Sequence, residues 1–526
     1  MYRLAALPPS TALDEPSAAS DPSPRGWRAG GRSYLACFGI VLLGFVLRAA
    51  FYQKGYIYPD EPITREVVRH MVQSGDLDTN WAKADLEPHF RFDQYNFSSY
   101  LEATFVFYRA VNLLPGLEAW RSASAGLLVY RFFSVVLGGL VVWQTLRLGL
   151  RAGGRTVALI AGMLAAVAVL LVQDAHYARP EAFETVLTLA VVTLCWPRKH
   201  LAVAAVLGAA FLIGVLAACK VTMLLLAWLP LVPLLTAGSE PHRPWLLLSV
   251  LPLLLFAGFV VGAPGAVAHP SLFLNGVHAL TAQYAGVQGP HSHLSGAPVG
   301  DMQMRYFGAT LGLPLLSSFM LGVIVLTRGR RWTELALLVG PVASFFGLFA
   351  TQSVFYERNL SHVLPLLLVV AALGATDLAA WLARASGVPQ AMIAALLAVL
   401  LAARSVTLTA SLLATALSGR GSERRAQLEA ELRARHPGVA WLEVRFMTPA
   451  ALDEVAAHFR TGHAPLLVRV ADYRDEPSAR YLRLFTERFD ARVVGNDEGA
   501  FPEVPTSTLL TYHSPHESYF LVLGPR

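Results

Sequence analysis

Gly55-Tyr-Ile-Tyr-Pro-Asp-Glu-Pro62 stands just beyond the first long apolar run of the chain, residues 34–51. That run is long enough to cross a bilayer, so Asp60 and Glu61 fall where the chain leaves the membrane. A residue ahead of a proline is pushed away from helical backbone, and a proline suits the first turn of a helix. The two carboxylates are therefore expected on a short non-helical piece, with a helix starting at Pro62 and running on through Arg65 and Val68. Two readings stay open here. Either acid can tie off the first turn of that helix as a cap, or the pair can do chemistry at the membrane surface.

The rest of the chain supplies the setting. Of its 526 residues 55% are hydrophobic and 15% charged, against roughly 25% charged in an ordinary soluble domain. Apolar runs occur at 34–51, 126–148, 156–173, 182–196, 201–219, 221–237, 245–263, 306–327, 332–350, 360–382 and 389–417. The expectation is a mainly α, polytopic membrane protein with about eleven transmembrane helices. Alternate connections are basic: Arg147, Arg151 and Arg155, then Arg198 and Lys199, then Arg243, then Arg328, Arg330 and Arg331, then Arg384. The positive-inside rule places them in the cytoplasm, together with a Pro-, Ser- and Ala-rich tail, residues 1–33, that reads as disordered. The formal charge of +6 is thereby explained by topology, and nucleic acid is not an expected partner. Cys37, Cys195 and Cys219 fall in apolar runs and fit neither a disulfide framework nor a metal site.

The opposite connections, 52–125, 174–181, 264–305 and 351–359, hold most of the polar chemistry, and another carries Lys220. The spans themselves read as almost free of charge. From 420 to 526 the composition changes to that of a small external α/β domain. A charged helix at Ser422–Arg435 is expected there, with strands at Trp441–Arg445, Leu466–Val470, Arg492–Gly495 and Tyr519–Leu523, and helices at Ala450–Arg460 and Ala479–Phe489. His458, His463, His513 and His516 are too scattered for a metal site. His291 and His293 have a metal-compatible spacing but no further ligand motif, so no metal or other cofactor is expected.

Several motifs recur in a telling order: Tyr58-Pro-Asp-Glu-Pro62 with Ser74-Gly-Asp-Leu77, then His176-Tyr-Ala-Arg-Pro-Glu181, then Cys219-Lys220, then Tyr356-Glu-Arg358 followed by Leu364-Pro-Leu-Leu367. In this order, and on one side of the membrane, they resemble the integral-membrane glycosyltransferases of the GT-C superfamily, in particular the branch holding protein O-mannosyltransferases and the lipid A aminoarabinose transferase. The resemblance covers residues 34–382. Where that family often has a Tyr-Pro-Pro-rich piece, this chain reads His89-Phe-Arg-Phe-Asp-Gln-Tyr-Asn96, and Glu181 stands where an aspartate is also common.

The resemblance implies transfer of a sugar from a polyprenyl-phosphate donor to a glycan, lipid or protein acceptor, on the external face of a bacterial inner membrane. It implies Asp60 as general base. Neighbouring side chains on extended chain point apart, so Glu61 is expected to orient the loop. Lys220 and Arg358, with Arg179 third, are the expected donor-phosphate ligands. His176, Tyr177, Glu181, Tyr356, His89 and Tyr95 are the expected substrate-binding residues. Each has a plainer reading. Lys220 can snorkel at a span end, Arg358 can pair with Glu357, Arg179 and Glu181 can close their loop, and His176 and Tyr177 can belong to an interfacial belt. The competing function is a polytopic lipid or small-molecule transporter or flippase, which predicts repeats and ionisable groups near the bilayer midplane.

Overall fold

The computed structural model describes residues 31–53, 60–86, 91–115, 126–197, 202–236, 244–285, 299–352, 356–417, 422–444, 449–462, 464–472, 476–497 and 516–526. The chain begins with α1 (Gly31–Ala49). Two amphipathic helices follow, α2 (Glu61–Ser74) and α3 (Ser98–Asn112). Next come α4 (Gly126–Val167), α5 (Val169–Ala175), α6 (Glu181–Leu194) and α7 (Val203–Cys219). After a single 3-10 turn at Val221–Leu226 come α8 (Leu231–Thr236), α9 (Pro244–Gly262), α10 (Pro264–Ala268) and α11 (Pro270–Tyr284). The helical part closes with α12 (Val299–Leu311), α13 (Leu313–Arg328), α14 (Trp332–Ala350), α15 (Leu364–Ser386) and α16 (Gln390–Leu417).

Among the described residues, four helices are long and apolar enough to cross a membrane, or five if α12 and α13, bent by 108°, count as one span. The remaining apolar runs form shorter helices, such as Val203–Cys219 and Leu247–Gly262. The runs at 126–148 and 156–173 lie mainly on the single helix α4, interrupted at Gly153 and Gly154. Gly154 sits at φ 79°, ψ −163°, a conformation open essentially to glycine alone, and it lets the chain reverse between Arg151 and Arg155. The expected loops at 52–125 and 264–305 contain α2, α3, α10, α11 and the start of α12.

The largest core joins α4, α6, α7, α14, α15 and α16 through residues such as Leu164, Leu189, Ile213, Phe345 and Val369. A second core lies under the segment between α1 and α4: Ile63, Val67, Met71, Trp81, Tyr100 and Leu101 pack on Val129 and Ala182. This segment is tied to the helices by its backbone, because Phe97 N–H donates to the Cys219 carbonyl at 2.8 Å. It is cross-braced by Lys83, 2.8 Å from Asp78 and 3.1 Å from Asp76.

The C-terminal part has α17 (Ser422–Arg435), α18 (Pro449–Thr461) and α19 (Glu476–Arg488). They accompany a four-stranded sheet in the order β1-β2-β4-β3, with β1 (Ala440–Val444), β2 (Leu466–Asp472), β3 (Phe489–Asp497) and β4 (His516–Pro525). β1 and β2 are parallel, while β4 runs antiparallel to β2 and β3. These elements overlap the expected stretches, except that Phe489, expected to end a helix, begins β3, and they bury a core of their own around Val455, Val468, Phe485 and Phe520.

Candidate active site

The start of α2 separates the two acids. Asp60 is the residue capping α2, at φ −91° and ψ −10°, and its side chain makes no capping hydrogen bond. Glu61 is already the first helical residue. The two side chains diverge because successive positions of a helix turn by about 100°, not because the piece is extended as the sequence suggested. The Asp60 carboxylate faces the 3-10 turn Glu357–Val363, where Arg358 Nη1 lies 2.5 Å from its Oδ2. Glu61 points the other way and is fully buried. It receives Arg131 Nε at 2.7 Å and Nη2 at 2.6 Å, and also the Ala178 N–H at 2.7 Å. Thr64 Oγ donates to the Ala178 carbonyl at 2.9 Å. One residue of the segment His176–Pro180 is thus stitched to α2 from both of its peptide groups.

That segment turns α5 into α6 and delivers Arg179 and Glu181. Arg179 Nε donates to Glu181 Oε2 at 3.1 Å, and its Nη2 lies 2.8 Å from Oε1. Arg358 Nε approaches the same Oε1 at 3.9 Å. Burial pushes the Glu181 carboxyl up, but Arg179, Lys220 and Arg358 outweigh it and hold the carboxyl below its ordinary range. Lys220 occupies the break after α7, on extended backbone at φ −149° and ψ 118°. Its Nζ is 3.5 Å from Glu184 Oε1, an oxygen that the Cys219 thiol also reaches, at 3.6 Å. Tyr356 lies under the Arg358 guanidinium, 4.8 Å from ring centre to Cζ.

The structure thus brings Asp60, Glu181, Arg179, Arg358, Lys220 and Tyr356 into one cluster. Tyr177 borders it from behind, with Arg131 at 5.9 Å and Arg179 at 6.0 Å from its ring centre. His176 is set back from this face and is buried. Burial first, then the nearby Arg48 charge, brings its pKa down to about 4, so the ring is neutral at pH 7. Tyr95 also lies apart, buried against Ala218, Ala263 and Ala266, and Gly265 lets the backbone approach its ring and Asp78. His89 lies outside the described residues, as do His291 and His293. Among the described residues no cluster of His, Cys, Asp and Glu could hold a metal ion.

Three further charged groups matter here: Arg48, Arg131 and Glu184. All lie within the apolar runs that read as almost free of charge, and all are buried. The signal was present in each case, since an ionisable residue inside a long apolar run seldom lacks a partner or a task. Arg48 donates to the carbonyls of Gly44, Ala165 and Ala166 at 2.9–3.0 Å, close to where α4 ends and the extended Ala168 leads into α5. Gly138 leaves room for its passage, because a Cβ there would sit 2.5 Å from Arg48 Cδ.

No family model matches the chain, and no curated protein matches it in sequence. Solved structures do match. ArnT from Cupriavidus metallidurans in the apo state gives a TM-score of 0.51 at 14% identity, over 94% of this chain and 98% of that one. The same protein bound to undecaprenyl phosphate gives 0.50 at 15%, with the same coverage. The Archaeoglobus fulgidus oligosaccharyltransferase in the apo form aligns over 73% of this chain and 56% of that one, at 13% identity and a TM-score of 0.49. At such identities the likeness is one of architecture, and ArnT carries it along nearly the whole length: the chain has the fold of ArnT.

Proposed function

We propose that the chain is a membrane glycosyltransferase that moves a hexosyl or pentosyl group from a polyprenyl-phosphate donor to an acceptor hydroxyl, with Asp60 as general base. The observation that carries this reading is the cluster itself. A carboxylate that makes no side-chain capping hydrogen bond stands beside Arg358, and Lys220 and Arg179 complete a cationic rim around the buried Glu181. ArnT, whose fold the chain shares, has been captured with undecaprenyl phosphate.

Transfer to a hydroxyl asks three things of a site. A base takes the acceptor proton as the oxygen attacks the anomeric carbon. Negative charge stabilises the oxocarbenium-like transition state. Cations receive the charge that builds on the leaving lipid phosphate. Asp60 supplies the first and contributes to the second. Arg358, Lys220 and Arg179 supply the third, with Tyr356 and Tyr177 forming the walls. In the resting site Arg358 pairs with Asp60. An arriving phosphate competes for the same guanidinium, which leaves Asp60 to accept a proton while Arg358 neutralises the leaving group. Glu61 takes no part in the chemistry and fixes the start of α2.

The topology belongs to this proposal. About eleven crossings, with the tail 1–33 in the cytoplasm and the 420–526 domain outside, put the Asp60 cluster on the external face of a bacterial inner membrane. There, sugars are carried on lipid.

The decisive substitution is Asp60→Asn, which keeps the shape of the side chain and removes its capacity to accept a proton. Transfer from a synthetic polyprenyl-phosphate sugar should fall by about 10²–10⁴-fold, with the thermal unfolding midpoint in detergent preserved. A variant retaining more than roughly a tenth of the wild-type rate would move the base elsewhere.

A further inference from the structure

Beyond the Asp60–Arg358–Glu181 layer lie more buried polar groups, Glu184 about one turn and Thr188 about two turns further along α6. On α6, Glu184 and Thr188 follow Glu181 on one face. In the 3-10 turn, Ser361 and His362 follow Arg358, and this turn packs against α6. All four side chains are essentially without solvent exposure, at 0%, 0%, 1% and 1%. Each nonetheless has polar atoms with no hydrogen-bond partner: Glu184 Oε2, Thr188 Oγ, Ser361 Oγ and both ring nitrogens of His362. Lys220 links the two sides, 3.5 Å from Glu184 Oε1 and within electrostatic reach of His362. The His362 ring is fixed edge-on to Phe345 at 4.2 Å. Nearby, the Asn359 amide donates to the Tyr284 hydroxyl at 3.1 Å, and Lys220 also senses this tyrosine.

Buried polar groups are nearly always paired, and unpaired ones call for an explanation. So many along the facing sides of α6 and the 3-10 turn, beside a candidate active site, suit a ligand that brings its own hydrogen bonds. The chemistry of the four narrows its class. They offer a carboxylate that only accepts, two hydroxyls that both donate and accept, and an imidazole with one donor and one acceptor. A second phosphate would meet no cation but Lys220 and would face Glu184. An apolar tail would leave every one of these groups unpaired. A polyhydroxylated ring matches them, since each of its hydroxyls donates once and accepts as well.

We propose that Glu184, Thr188, Ser361 and His362 form the subsite that reads the sugar ring of the lipid-linked donor. The subsite rests on the transferase reading above and adds to it the residues that set sugar specificity.

The test uses the full chain in detergent, titrated with bare undecaprenyl phosphate and with undecaprenyl-phosphate mannose, glucose and arabinose. The wild type should bind at least one glycosylated lipid roughly tenfold more tightly than the bare lipid, the worth of one or two net hydrogen bonds. Thr188→Val and His362→Phe keep the shape of the side chains and remove their polar atoms. Each should cut that margin to roughly a third or less, leave the affinity for bare lipid unchanged, and leave the unfolding midpoint unchanged or raised, because an unpaired buried group has gone.

Equal weakening toward bare and glycosylated lipid would overturn the assignment, since these groups would then serve the phosphate or the fold. An intact margin in both variants would overturn it too, because the polar atoms would be satisfied by buried water alone. So would a wild type with no margin for any of the three sugars. Binding of bare lipid without a sugar margin sinks the subsite only. A chain that binds none of the four lipids sinks the transferase reading, and the subsite with it.

Discussion

Glu61 is paired with Arg131 at 0% exposure, and the fold therefore depends on both partners being present. Removing one partner of a buried pair leaves an uncompensated charge, at a cost of about 3–5 kcal/mol, whereas replacing both by apolar groups is often neutral. Glu61→Gln should accordingly lower the unfolding free energy in detergent by about 3–5 kcal/mol, and Glu61→Met with Arg131→Met should recover most of it. A single variant within roughly 1 kcal/mol of the wild type would show that the pair is not desolvated as the geometry implies. The contrast with Asp60 is sharp: one acid is expected to fail in folding and its neighbour in chemistry. That the two acids differ was legible in sequence, because adjacent side chains cannot share a face. The partner of Glu61 was not legible, since Arg131 lies 70 residues downstream inside a run that reads as apolar. Motif and order singled out Asp60, Arg358 and Lys220, which the fold brings near one another, whereas the seclusion of His176 and Tyr95 depends on packing that no motif encodes.

At the scale of elements, the position of Lys220 depends on how closely α7 and α9 approach. Gly214 on α7 and Gly258 on α9 bring the two backbones into contact: a Cβ on Gly214 would run into the Leu255 carbonyl, and one on Gly258 into the Phe211 carbonyl. Gly208, on the same helix, has only Leu194 Cδ1 nearby, at 3.8 Å. Gly214→Ala should therefore destabilise by about 1–3 kcal/mol through overpacking. It should also slow transfer, because α7 ends at Cys219 and sets the backbone of Lys220. Gly208→Ala should be neutral or stabilising by up to about 1 kcal/mol, from helix propensity alone. Thermal unfolding and transfer rate, measured on both variants, check the pair. Equal behaviour would mean that the helices separate without consequence for the site. Apolar run length located α1, α6, α7, α9, α14, α15 and α16 but said nothing about these contacts. It also missed the ends: residues 221–226 read as the start of a span and instead form a 3-10 turn, after Lys220 on extended backbone.

At the scale of the whole molecule, the C-terminal domain was the most legible part. Its strands and helices overlap the short stretches expected for them, so local pattern decides there. The helical part is harder, because an apolar run fixes length without fixing depth. α6 spans 14 residues and α7 spans 17, short of the roughly 20 that cover a bilayer, yet both are buried within the bundle and carry the site at their ends. The side of the membrane on which those ends open follows from the basic connections alone, and it can be measured. Gln427, exposed on α17, and Arg328, exposed at the end of α13, are expected on opposite sides. In a Cys37→Ser background, which removes a partly exposed thiol, a membrane-impermeant maleimide should label Gln427→Cys in intact cells and Arg328→Cys only after lysis. The reverse pattern would put the Asp60 cluster in the cytoplasm, where nucleotide sugars are at hand and a lipid-linked donor has no advantage. A polyprenyl-phosphate donor would then have no physical rationale, even with every distance in the cluster unchanged.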